Sequence, residues 1–558
     1  MLTKVKLYIN TIKYLKPIQI TGQLCKRKKM QSFYGGRLPS FETIKQLQMF
    51  IPELDEEQEY LAKFNVEQLL NYEITLLNEK HNLDIQNWKI CASPLWRFNL
   101  HYFEYCIPLG IAYKRTGKQI YFDKFKGYLE SWIKANPVGQ GDAWHPYTIS
   151  MRIPNWLICL DLFKDALKDE KQFKEKLFES LYFQYKTLIL RQETWQLGNH
   201  YLENLKTIVL CSILFCEDNI YKLFIKKFFE ELDEEILSDG MHFELSPMYH
   251  RIILEDLIRV GFWLKQDRKI EYEKLALYIQ KMANALFTLE KGVNRIPLFN
   301  DSGEGVAKTQ CGLLKAVAGL FNVIAKDIGA LPSAGYYKLY DSNLTVVIDA
   351  GEIGPSYMPG HGHCDCLSFE LFLKGQPLFV NSGTYQYQGL YRKHFRSTAA
   401  HNTLTIENNE QSECWGEHRV ARRIHGITAI FGDSSFIGEY QNFCGQKHKR
   451  CIGLKNNIFT VEDKVRAPVN ALIHSYLHVS PEFKVEVETD AVLIFDKNNG
   501  NVCVIKPLNS RFFIHGDGNL TLYAKSFGCL EKTICIEFSW TCNEEQHGYK
   551  IIFNKGEL

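Results

Sequence analysis

Between His361 and Asn402 the chain concentrates His361, His363, Asp365, Asn381 and His401 around two strand-like runs, LSFELFL and PLFVNSGTY. Imidazoles, a carboxylate and a carboxamide on strands and their turns can move protons or hold a divalent cation, and they indicate a prepared site rather than a core. Two earlier motifs add groups suited to the same work. GNHYLEN sets Asn199 beside His200, and FELSPMYH carries Tyr249 two residues after Pro247, a helix-opening residue that puts the phenol in a first turn. A carboxamide can donate two hydrogen bonds to a carboxylate, and a phenol near a cation can give a proton or, as phenolate, take one. Each has a plain alternative: Asn199 as the cap of the helix YLENLKTIVL, and Tyr249 as one packed aromatic among 29 tyrosines.

Two kinds of element must position these groups. From about Trp88 to Leu331 apolar residues recur at three- and four-residue spacing, as in WRFNLHYFEYCIPLGIAY and KLALYIQKMANALFTL, which predicts amphipathic helices. Loops rich in Pro, Gly, Asn and Asp (Asn136 to Trp144, Glu193 to Asn199, Leu298 to Gly305) separate them, so the pattern is a stack of helical hairpins and not βα alternation. After Gly335 the runs become short and rich in β-branched and aromatic residues (LTVVIDA, NTLTIE, NVCVIKP, ICIEFSW), as in a β-sandwich. The expected division is a basic helical extension over 1–87, a helical domain over 88–335 and a sandwich over 336–558.

Six ordered blocks carry a family resemblance: LWRFNLHYFEY, WHPYTISMRIPNW, GNHYLENL, DGMHFELSPMYH, HGHCDCLSFELFLKGQPLFVNSGTYQY and RSTAAHNTLTIE. In this order and spacing they resemble the heparinase II/III family of polysaccharide lyases. The resemblance implies a multidomain α+β fold, an incomplete (α/α) toroid of helical hairpins followed by an antiparallel β-sandwich. It also implies β-elimination on a uronic-acid polysaccharide or oligosaccharide. The C5 proton of a uronate is hardly acidic while the adjacent carboxylate is charged, so that group must first be hydrogen-bonded or neutralised. The resemblance gives this role to Asn199 and that of catalytic acid or acid/base to Tyr249, with His361 as partner base and His200 as a second imidazole that binds or polarises the sugar. Tyr249 with His361 suits anti elimination; Tyr249 alone suits syn. A uronyl C5-epimerase would remove the same proton, and a non-catalytic glycan-binding protein would keep the fold.

The resemblance also implies a structural, zinc-like metal site at His363, Asn381 and His401. Asn381 stands where the family has an aspartate, and a neutral carboxamide is a poor zinc ligand, so a hydrogen-bonded His/Asn cluster bridging the sheets is the alternative. Asp365 either compensates for the lost carboxylate or orients an imidazole. Arg392 and Arg396 are candidates for gripping carboxylate or sulfate, unless acids such as Glu370 or Glu407 pair with them. Trp144, His145, Tyr147 and Arg152 are candidates for lining a glycan cleft.

At 46% hydrophobic and 23% charged residues the composition is globular. The net charge of +2 advertises no nucleic-acid partner. Sixteen cysteines, mostly single and inside apolar runs, read as reduced buried thiols. With no signal-like segment or membrane-length apolar run, the expected location is cytoplasmic. Eight Lys or Arg and no acid fall in the first 30 residues. They predict either an amphipathic helix resting on an anionic membrane or, the reading favoured here, a solvated helix docked on the domain.

Overall fold

The computed structural model describes residues 2–36 and 44–554; residues 37–43 and 555–558, which belong to the expected first and third segments, lie outside the described residues. The helical half is two layers of antiparallel hairpins. Pro146–Leu162, Gly198–Leu214 and Pro247–Lys265 form the inner layer, each packed on the next and buried around nearly its whole circumference. Their return partners Lys171–Arg191, Asp218–Glu235 and Lys269–Glu290 are amphipathic and keep one charged face in water, the periodicity read from the sequence. Pro94–Tyr102, Ile107–Thr116 and Gln119–Ala135 precede this stack, and Gln310–Phe321 closes the helical run. An antiparallel toroid of this kind turns the N-termini of all three inner helices to the same end.

Strands begin at Tyr336–Asp341 and build two eight-stranded antiparallel sheets. Phe369 meets Phe459 across the two sheets with ring centroids 4.9 Å apart, and Phe538 stacks on Tyr549 at 4.5 Å, so the two inner faces share one core. Strands such as Lys447–Lys455 and Ile458–Arg466 alternate buried and exposed residues along their length, as half-buried strands must. The chain therefore folds as a helical toroid followed by a β-sandwich. No described helix is long and apolar enough to cross a membrane.

The segment before the toroid is more structured than a simple extension. Helices Leu2–Ile12 and Pro17–Gln31 pack on the outside of both halves, and Glu73–Leu76 pairs with Glu79–Asn82 in a small hairpin near the cleft.

Candidate active site

The inner-helix N-termini and the loops of the sandwich enclose a cleft of about 590 Å³. His145 caps the first inner helix by accepting from the Tyr147 N–H at 3.3 Å. Asn199 and His200 are the second and third residues of the next inner helix, and Tyr249 is the third residue of the last, where Ser246 caps by accepting from its N–H at 3.2 Å. Three helix N-termini thus face one space, and their aligned dipoles favour an anion there. The approach to the middle helix is strained: Leu197 has φ 62°, a conformation that costs a β-carbon residue about 1–3 kcal/mol. Gly198 follows at φ 58°, and a β-carbon on it would lie 2.1 Å from Met358 Cε and 2.7 Å from Glu244 Oε1. Glycine is the residue that lets the chain turn into this helix.

Tyr249 and His361 lie against each other, their ring centroids 4.1 Å apart. The Tyr249 hydroxyl is 2.9 Å from that of Tyr387, and burial, then Tyr387, push the Tyr249 phenol well above its ordinary range, so it stays protonated. His361 is held at Nδ1, 2.9 Å from Asp301 Oδ2, while Nε2 faces Glu244 Oε2 at 3.6 Å, beyond hydrogen-bond distance. Glu244 also fixes Asn199, accepting from its backbone N–H at 3.1 Å and its carboxamide at 3.2 Å. One N–H of that carboxamide is left for the cleft. Across the cleft His200 Nδ1 is 3.1 Å from Glu193 Oε1, with the Tyr147 ring 4.3 Å away. Burial would lower the His200 pKa, but the Glu193 charge and hydrogen bond outweigh it and raise it.

Asp301 is the centre of the arrangement, and sequence reasoning missed it. Completely buried, it faces His361 Nδ1 and, at 2.9 Å, His363 Nε2, and it accepts two hydrogen bonds from the Arg392 guanidinium. Burial alone would raise its pKa, but the Arg392 charge and the histidine hydrogen bonds hold it well below the usual carboxylate range. The only sequence signal was NDSG at the end of an apolar run, which reads as a turn. Glu244 and Tyr387 lay inside quoted motifs without an assigned role, and Glu193 sat at the edge of a loop.

Several expected site residues sit elsewhere. Trp144 is buried and donates to the Asn136 carbonyl at 3.2 Å. Arg152 is buried on the far side of its helix, bound to Gln184 and the His101 carbonyl and lying over Trp132, because five residues of helix turn it away from Tyr147. Arg392 is spent on Asp301, and Arg396 donates to the Gly362, Glu417 and Pro359 carbonyls. Neither guanidinium lines the cleft, and neither pairs with Glu370 or Glu407. His145 and Tyr147 do line it, with Asn199, His200, Tyr249 and His361.

At the metal candidate the structure brings a carboxylate beside the two expected imidazoles. Ligand atoms of His363, Asp365 and His401, all buried, come within 4.8 Å of one another, and it is Asp365 that supplies the carboxylate. Asn381 touches the cluster, its Oδ1 accepting from Ser368 at 2.7 Å and lying 3.2 Å from His401 Nδ1. His363 Nδ1 and His401 Nε2 are buried with no hydrogen-bond partner, and burial keeps both imidazoles neutral, His363 with a pKa down at about 4. Two neutral imidazoles with orphaned nitrogens beside a carboxylate fit a divalent cation, and the contact of Asp301 with His363 is the carboxylate–imidazole pairing that orients such a ligand.

A profile of the heparinase II/III N-terminus matches residues 37–323, and one of the heparinase II/III-like C-terminal region matches residues 324–541. The protein named heparin-sulfate lyase of Pedobacter heparinus is 24% identical over 368 residues, an alignment spanning 59% of this chain and 54% of the relative. Its namesake from Bacteroides thetaiotaomicron is 22% identical over 480 residues, spanning 75% of this chain and 67% of the relative. The chain thus covers little more than half of the first relative's length. Among solved structures, a heparinase III superposes with a TM-score of 0.71 at 17% identity, covering 96% of this chain and 92% of the other. The heparan sulfate lyase of Pedobacter heparinus gives 0.62 at 17% identity, covering 96% and 88%. At such identity these likenesses speak for the fold. With the two profiles running from residue 37 to residue 541, across toroid and sandwich alike, the chain belongs to the heparinase II/III family.

Proposed function

We propose that the protein is a polysaccharide lyase that cleaves a uronate glycan by β-elimination, with His361 as base and Tyr249 as acid. The observation that carries this reading is the Tyr249 and His361 pair, ring centroids 4.1 Å apart, at a cleft into which three helix N-termini point. The uronate carboxylate is received by the free Asn199 carboxamide N–H and the positive end of its helix, which lowers the cost of forming a carbanion at C5. His361, fixed through Nδ1 by Asp301, takes the C5 proton on Nε2. The electron pair forms the C4–C5 double bond as the C4–O bond breaks, and the leaving oxygen takes the proton that burial keeps on Tyr249.

The cleft also bears on the substrate. Six carboxylates line it (Glu79, Glu104, Glu193, Glu244, Glu255, Asp256) against four cations, Lys26, Lys63, Lys206 and Arg259. Lys63 is bound to Glu104, Lys206 to Glu203 and Asp256, and Arg259 to Glu56 and Glu255, so among the described residues Lys26 alone has no ion-pair partner. Such a lining repels a densely sulfated chain and suits a sparsely charged uronate glycan.

A divalent metal at His363, Asp365 and His401 would tie the loop that carries His361 to the sheet and serve structure. The decisive experiment compares the wild type with Tyr249→Phe and His361→Ala on unsulfated uronate glycans, following the ultraviolet absorbance of the unsaturated uronate. Both variants should lose the signal while retaining substrate binding; unchanged turnover in either would defeat the assignment.

A further inference from the structure

A helix docked on a protein ordinarily turns its apolar stripe inward. The helix Leu2–Ile12 does the reverse. Its contacts with the sandwich come from Tyr8, whose ring meets Trp415 edge-on at 4.8 Å, and from Thr11, which accepts from the Trp415 indole at 2.9 Å. Val5, Ile9 and Ile12, spaced four and three residues apart on one face, remain 49%, 61% and 50% exposed. The following helix, Pro17–Gln31, is fastened to both halves: buried Gln19 donates to the Tyr357 carbonyl in a sandwich loop, while Lys16 at its N-cap pairs with Glu234 and Lys29 donates to Thr194 of the toroid. Its outward residue Leu24 is 82% exposed.

Within this segment the charges are all of one sign. The first 36 residues hold eight Lys or Arg and no acid. Lys16 and Lys29 are used to fasten the second helix, whereas Lys4, Lys6, Arg27 and Lys28 enter no ion pair among the described residues. We propose that these two helices form a docking face for an anionic lipid bilayer, with the isoleucines and Leu24 entering the acyl boundary and the free cations on the headgroups. A soluble polyanion would satisfy the cations but leave the isoleucines in water, while a bilayer takes both.

The test is co-sedimentation of the full chain with vesicles of phosphatidylcholine alone or mixed with phosphatidylglycerol. Wild type should pellet with the mixed vesicles only and be released by salt. Ile9→Glu and Leu24→Glu should each weaken binding at least about tenfold, and Lys4→Gln and Lys6→Gln about fivefold each. These positions are exposed, and unchanged circular dichroism and melting would show that the fold is intact. Failure of the wild type to pellet with the mixed vesicles overturns the proposal. So does equal binding by Ile9→Glu and Leu24→Glu, or sedimentation of the free protein as a dimer that Ile9→Glu dissolves.

Discussion

Replacing Asp301 by Asn keeps its shape and removes its charge, which strikes the site at two levels. Arg392 is 1% exposed, and its two hydrogen bonds to Asp301 form the only ion pair it makes among the described residues. Leaving a buried guanidinium without its counter-ion costs about 3–5 kcal/mol. For a domain of this size that is a fall in Tm of roughly 6–20 °C. The second effect is on His361. A carboxylate at 2.9 Å keeps the proton on Nδ1 and leaves Nε2 free to act as a base. The new carboxamide can donate to Nδ1 instead, which shifts the proton to Nε2 and blocks that role. Where an orienting carboxylate is lost in this way, kcat drops about 10⁴-fold. The assay pairs calorimetric melts with initial rates for wild type, Asp301→Asn, Arg392→Met and the double variant. Replacing both partners should cost less than the sum of the single changes, because no buried charge is then orphaned. A variant Asp301→Asn that melts with the wild type and turns over at more than about a tenth of its rate would refute this reasoning.

Other outcomes follow from the same geometry. Tyr249→Phe should lower turnover about 10²- to 10⁴-fold and leave glycan affinity nearly unchanged; equal loss of affinity, measured by calorimetry, would count against an acid role. One divalent cation per chain is expected by elemental analysis, lost in Asp365→Ala but only weakened, about 10–100-fold in affinity, in Asn381→Ala; the opposite ranking would return the ligand role to Asn381. Burial lowers the pKa of His242 and His478 to about 4 and of His101 and His250 to about 3, from 6.5. Their stability contribution is complete above the unfolded value and is lost as pH falls from 6.5 towards the folded values, at about 1.4 kcal/mol per pH unit for each histidine. Melting temperature should therefore fall between about pH 6.5 and about pH 5, before ordinary carboxylates protonate, and a flat profile there would contradict these burials. With one unpaired cation in the cleft, KM should rise no more than about threefold from low to physiological ionic strength; a steep dependence would point to a densely charged substrate.

The helical and strand halves were legible because their apolar periods differ, 3.6 against 2, and the change near Gly335 is abrupt. Asn199, His200, Tyr249 and His361 were legible because each lies in a short contiguous motif beside a helix start or a strand turn. Asp301 was not, since its partners come from positions 60, 62 and 91 residues away in the chain. Trp144 and Arg152 were misplaced by reading nearness in sequence as nearness in space, when a helix sends neighbouring residues to opposite faces. Arg392 and Arg396, one helical turn apart, both point into the protein, where an unseen carboxylate and a set of carbonyls receive them. Asp365 and Asn381 could not be ranked from sequence, because the distance of each from the imidazoles depends on how the loops around Phe369–Leu373 and Gln376–Phe379 fold. Nor does periodicity say which side of the first helix is covered; the apolar stripe was visible, and its outward orientation was not.

The central claim is a proton removed from C5 and a bond broken at C4 by the same site. Incubation in deuterated water with a panel of uronate glycans (heparosan, hyaluronan, chondroitin, alginate, heparan sulfate), followed by proton NMR, reads both events at once. The account expects a new vinylic H4 signal, first and most strongly with an unsulfated chain, and its loss in Tyr249→Phe. Deuterium at C5 without chain cleavage would contradict it and identify an epimerase.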